Sequence, residues 1–300
     1  MSARWWFPAE PAARIAVLRA VIYPFVVLDM FLFVNDVVPK GYASPELYAP
    51  IAIPRFLHLP APNPLLVHTL QVALIAGCAI AATGRLPRLA GWTVAVAYQW
   101  WIFIGMSYGK VDHDHLALVV ALWVLPTLGR VRWDAAHRSE AAGWILRCIQ
   151  VAVVCTYFLA AFAKLRHGGW DWANGAVFTW SIERRGTMFA DPLVNLPWVL
   201  VAGQWMLLVA ELTSPVVFAL RGRAQALYIG GWMVFHVVTY AAIGIHFLPT
   251  VVCWLAFAPL ERLAGRVRAR PLVGRQRTGG GAAGQPVPVV GDHAVQPVRD

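Results

Sequence analysis

Apolar runs of near-membrane length decide what this chain can fold into. The first covers residues 14–34 and is broken only by Arg14, Arg19 and Asp29; a helix needs about 20 such residues to cross a hydrocarbon core. Comparable runs follow at about 64–83, 89–107, 114–129, 144–165, 197–220 and 225–244, with a shorter one at 247–260. Hydrophobic residues make up 59% of the chain and charged ones 13%, the balance of a protein whose solvent is lipid. The chain therefore reads as all-α, a polytopic membrane bundle of about eight helices over residues 1–262. Residues 263–300 are Gly, Pro and Arg without an apolar period and read as a disordered basic cytoplasmic tail. The first run is of spanning length and has no small-residue cleavage site after it, so it serves as its own insertion signal.

A net charge of +10 is the usual mark of a nucleic-acid partner, but its distribution excludes that reading here. The excess lies in short loops (Arg4, Arg85, Arg88, Arg130, Arg132, Arg138, Arg221, Arg223) and in the tail. The short loops on the other side carry only Lys110. That asymmetry predicts a multi-pass protein of the cell membrane with both termini cytoplasmic, its partners being membrane lipids and their anionic headgroups. The protein partner is left undefined. Cys78, Cys148, Cys155 and Cys253 sit singly in apolar runs and read as small buried hydrophobes.

Polar residues inside the runs are where chemistry is sought, because each is costly in lipid. Arg19 and Asp29 are ten residues apart, about 15 Å along a helix, too far for a direct pair. Each must find a partner elsewhere. The proline-rich loop 35–63 resists regular structure and is a candidate lid. His68 and Gln71 share a face, as do Gln99 and Met106, and His236 and Tyr240. Between the third and fourth runs stands Gly-Lys-Val-Asp-His-Asp-His, residues 109–115. Three readings stand for it: a cap in which Asp112 or Asp114 closes the fourth helix, a polar lining at the outer face, and a metal site. The last has no recognised ligand spacing, and no metal is expected.

The fifth run carries the strongest signal. Gln150, Tyr157 and Lys164 recur every seven residues and form one stripe. The chain has only three lysines, Lys40, Lys110 and Lys164. An arginine stays charged, whereas burial can leave a lysine amine neutral and able to accept a proton. Snorkelling to the headgroups competes with that reading. Past Lys164, Gly168-Gly169 break the helix into an aromatic loop with Trp170 and Trp172, and residues 174–189 read as an interfacial helix. The sixth run buries Glu211, with Gln204 seven residues before it.

These landmarks, in order, resemble a known family. Ile15-Ala16-Val17-Leu18-Arg19 with Val27-Leu28-Asp29, then Asp112-His113-Asp114-His115-Leu116, are followed by Tyr157-Phe158-Leu159-Ala160-Ala161-Phe162-Ala163-Lys164-Leu165 and Trp172-Ala173-Asn174-Gly175. Phe235-His236 and Ile243-Gly244-Ile245-His246-Phe247 complete the series. Over roughly residues 14–262 the chain is similar to the membrane portion of the vitamin K-dependent gamma-carboxylase and its shorter relatives, the horizontally transferred transmembrane (HTTM) domain proteins. The resemblance implies that Lys164 is the base acting on a reduced naphthoquinone, a vitamin K-like hydroquinone, which on oxygenation becomes strong enough a base to take a proton from a glutamate and leaves as its epoxide. It implies that His113 and His236 stand where the family keeps histidines. Two departures bear on the acceptor. The family's carboxylase carries a large extramembrane domain after its helices, where a short polar tail stands here, and Ala163 replaces a lysine that precedes the family's base. Both departures bear against a peptide glutamate as the acceptor and leave the acceptor open.

The residues and the resemblance together predict a membrane-embedded, quinol-using enzyme of the carboxylase/epoxidase (lyase) kind. Lys164, His113 and His115 are its catalytic candidates at the outer face, with a lipid quinone as partner. Tyr157, Trp170, Trp172, His236, Arg19 and Asp29 are its substrate-binding candidates. The alternative is a solute transporter or permease-like protein that uses buried Asp, Glu and His.

Overall fold

The computed structural model describes residues 3–131 and 136–263. The tail over 264–300 and Arg132, one of the loop arginines, lie outside the described residues. The fold is helical. Among the described residues the only strands are a two-residue pair, Glu10–Pro11 against Arg138–Ser139.

Nine helices carry the argument: α1 (Ala13–Leu32), α2 (Pro64–Ala82), α3 (Pro87–Met106), α4 (Leu116–Val124), α5 (Glu140–Gly168), α6 (Ala176–Arg185), α7 (Pro197–Leu212), α8 (Gly222–Ile243) and α9 (Leu248–Cys253). Among the described residues five of them, α1, α2, α3, α5 and α8, are long and apolar enough to cross a membrane. The apolar segments containing α4, α7 and α9 are shorter; at 1.5 Å per residue the 16 residues of α7 reach only about 24 Å. The run at 197–220 is divided because Pro215 removes a backbone donor just past α7, and Ser214–Phe218 tighten into a 3-10 turn. Helix α5 is longer than its apolar run, since Ser139 caps the amide of Ala142 and starts the helix in its polar first turn.

Loop 35–63 is less irregular than its prolines predict. It holds a helical turn at Val37–Lys40, a 3-10 turn at Pro45–Leu47 and a short helix at Ala52–Phe56. Pro45 stands in the first turn of its element, where no amide donor is needed.

Side chains of α1–α5 form the main core around Trp101, Tyr23, Tyr98, Leu118 and Leu122. Helix α5 starts beside α1, through the strand pair and the bond from Arg147 Nε to the Trp5 carbonyl, and runs the same way. Asp29 near the end of α1 and Lys164 near the end of α5 therefore share one end of the bundle. Helix α8 stands apart: of its 22 residues only Trp232 and His236 are buried. In water such a face would be untenable; in lipid its Leu and Val side chains are already in their preferred solvent.

Candidate functional site

The stripe on α5 is filled by partners from three different elements. Gln150 Nε2 donates to the Ala256 carbonyl at 2.9 Å. One step on, Tyr157 Oη lies 2.7 Å from His236 Nε2 and accepts from Trp254 Nε1 at 2.9 Å. The Trp232 ring lies against it, centroids 4.0 Å apart. At the third step, Lys164 Nζ is 2.6 and 2.5 Å from the two oxygens of Glu211 on α7. The carboxylate is nearly buried while the amine keeps partial access to solvent, so Lys164 is the main counter-charge that Glu211 has. The amine also lies 4.9 Å from the centre of the Trp172 indole, a cation–π contact.

Helix α7 runs antiparallel to α5, and this places Gln204 beside the aromatic loop. Its Nε2 donates to the Trp172 carbonyl at 2.6 Å, which fixes which end of the amide is nitrogen. Among the described residues its Oε1 then has no partner, although the residue is wholly buried. A spare acceptor in an apolar seam is unfavourable by about 1–3 kcal/mol. Trp170 is exposed and stacks on Trp205, centroids 5.9 Å apart and planes 13° from parallel. The Trp172 indole, the amine, the carboxylate and Gln204 thus form one group at the end of α5, with Trp170 stacked on Trp205 at the surface beside it.

The histidine segment builds a second group at the same end. His115 is buried between two carboxylates, Nδ1 being 3.0 Å from Asp114 Oδ1 and Nε2 3.3 Å from Asp29 Oδ1. Tyr98 Oη donates to Asp29 Oδ2 at 2.6 Å. The Asp114 carbonyl accepts from Thr250 Oγ1 on α9 at 2.6 Å. A cavity of about 50 Å³ touches His115, Lys110 and Asp112; that is room for a water molecule or two and not for a ring. The expected cap is not made: neither Asp112 nor Asp114 bonds a helix amide, since Asp114 is held by His115 and Asp112 lies 2.8 Å from Lys110. His113 is exposed and makes no side-chain hydrogen bond among the described residues. No group of three or more metal-ligating side chains gathers among the described residues.

Arg19 lies at the opposite end. Its guanidinium donates to the carbonyls of Leu125 at 2.5 Å and Gly129 at 2.8 Å, and to that of Leu128. It closes the C-terminal end of the segment that begins with α4, where unpaired carbonyls and the helix dipole favour a cation. The structure thus brings Lys164 and Trp172 together with Glu211 and Gln204, while Trp170 stacks on Trp205 at the surface. Tyr157 and His236 lie two turns further down the stripe. His115 and Asp29 form a separate group; Arg19 and His113 join neither. Sequence reasoning singled out Glu211 and Gln204 without pairing them to α5. Their seven-residue spacing, the same as that of Tyr157 and Lys164, was the available signal.

Comparison of the chain with protein-family models, with curated proteins and with solved structures returned no match.

Proposed function

We propose that this chain is a membrane-embedded enzyme that removes a proton from the hydroxyl of a lipid-borne aromatic ring, with Lys164 as the base. The observation that carries the reading is the amine of Lys164 held within 2.6 Å of the Glu211 carboxylate in a nearly closed seam. A carboxylate in hydrogen-bond contact with the amine is placed to exchange a proton with it. Glu211 can therefore hold the proton that leaves Lys164 a free base, and can stand against the positive charge once Lys164 has accepted one.

A reduced naphthoquinone supplies the acidic hydroxyl and the reducing electrons when bound. The residues fit it in kind: an amine, an unpaired buried acceptor on Gln204, and indole faces at Trp170 and Trp172. Lys164 holds and moves the proton. Gln204 Oε1 accepts from a hydroxyl, and the apolar walls of the seam exclude water. The resemblance of the landmark residues to the carboxylase-like membrane family supports the same substrate class and leaves the acceptor open. With this reading go eight crossings, α6 lying in the membrane interface, and both termini on the cytoplasmic side of the cell membrane. Solute permeation is served less well, since Asp29, His115 and Arg19 are already engaged by protein groups.

The test is oxygen-dependent oxidation or epoxidation of a reduced naphthoquinone by the purified protein in lipid. Lys164→Ala is expected to lower turnover by about 10²–10⁴-fold; turnover equal to that of the wild type overturns the assignment.

A further inference from the structure

The end of the bundle opposite Lys164 carries an open groove of about 550 Å³, lined by Leu86, Pro87, Arg88, Leu89, Gly129 and Arg130. Its surface is almost wholly apolar, and its arginines stand at one place. The Arg88 guanidinium lies so close to Gly129 that a β-carbon on that glycine would sit 3.7 Å from its Nε. Arg130 is the next residue in the chain. From beneath, Arg19 donates to the Gly129 carbonyl at 2.8 Å, which pins the wall of the groove. Two guanidinium groups, those of Arg88 and Arg19, thus meet at one glycine, and Arg130 lines the same groove. Backbone carbonyls answer Arg19, and no carboxylate among the described residues pairs with Arg88 or Arg130.

Two exposed like charges lining one apolar groove attract an anion. Guanidinium forks suit phosphate oxygens in particular. The volume is that of a site for a small organic ligand, and its floor is built of Leu and Pro side chains. We propose that this groove binds an anionic phospholipid, with the phosphate between Arg88 and Arg130 and an acyl chain along Leu86 and Leu89. Arg19 acts as a positioning residue for the site by fixing Gly129. The groove lies at the other end of the bundle from the amine on α5, so the site stands whether or not the quinol reading does.

Native mass spectrometry of the full-length protein tests it, with phosphatidylglycerol and phosphatidylcholine of identical acyl chains as probes. The wild type is expected to retain phosphatidylglycerol about tenfold more tightly, the effect of two arginines near a headgroup. Arg88→Gln with Arg130→Gln is expected to erase that preference, weakening phosphatidylglycerol more than phosphatidylcholine, whose choline cation already offsets its phosphate. Arg221→Gln with Arg223→Gln removes the same charge elsewhere and is expected to keep it. Equal retention of the two lipids by the wild type overturns the proposal, and that measurement needs no variant to fold. So does an equal loss in both double variants, which would make the effect one of net charge. Glycerol phosphate at the same concentration is expected not to displace the lipid; displacement would make this a phosphate site and sink the lipid assignment.

Discussion

Two polar groups lie at the same end of this bundle and differ in how completely the protein closes them. Around Asp29, which is 0% exposed, both carboxylate oxygens are taken by Tyr98 and His115, and the remaining nitrogen of His115 is taken by Asp114. Around Lys164 the closure is unfinished: its side chain is 21% exposed and the neighbouring Gln204 keeps a buried oxygen without a donor. A saturated group resists change and ties helices together, whereas an unsaturated one has capacity left for a ligand. That difference is the ground on which we propose a structural role for the first group and chemistry for the second, although the histidines of the first are the more conspicuous in the sequence.

The contrast can be broken most directly at Asp29. Asp29→Ala leaves His115 and the Tyr98 hydroxyl buried without their partner and is expected to destabilise the protein by about 3–5 kcal/mol, read as loss of folded protein in detergent unfolding. An unchanged unfolding curve would show that the closed group does not hold the bundle. Glu211→Gln is expected to act in the opposite sense. Turnover should fall about 100-fold, because a proton accepted by Lys164 no longer stands against a carboxylate, while the loss of stability stays below that of Asp29→Ala, since the partly exposed amine keeps access to water. If stability collapses as it does for Asp29→Ala, the two groups are alike and the comparison fails. Trp172→Ala should cost about tenfold in kcat/KM, the worth of one desolvated cation–π contact, without changing the pH dependence of turnover.

The long helices were legible because periodicity and length need no tertiary knowledge: the apolar run at 64–83 became α2 at Pro64–Ala82 almost unchanged. Boundaries were lost where local chemistry overrides apolar content, at the Ser139 cap and at Pro215. The stripe on α5 was legible, and so was the need of Arg19 and Asp29 for separate partners. Which partners they take was not, because pairing depends on the relative depth of antiparallel helices. Lys164 meets Glu211 only because α7 runs against α5 at the depth that also sets Gln204 beside the Trp172 carbonyl. The cap expected of Asp112 or Asp114 failed for a related reason, since a buried imidazole on the next residue competes for the carboxylate more strongly than a helix amide that water can reach.

The finest test lies at Gln204, where the two readings of an incomplete group predict opposite signs. If the spare Oε1 waits for a hydroxyl donor, Gln204→Leu removes an unfavourable orphan from the ligand-free protein and replaces it with a side chain of similar volume. The loss of the bond to the Trp172 carbonyl offsets that gain, so stability should stay level or rise by up to about 1 kcal/mol. At the same time KM for the quinol should rise about fivefold, because the ligand hydroxyl loses its acceptor. A purely packing role gives the reverse, a stability loss with KM unchanged. That outcome would leave the seam at Lys164 as closed as the one at Asp29 and would remove the ground for placing chemistry at one and structure at the other.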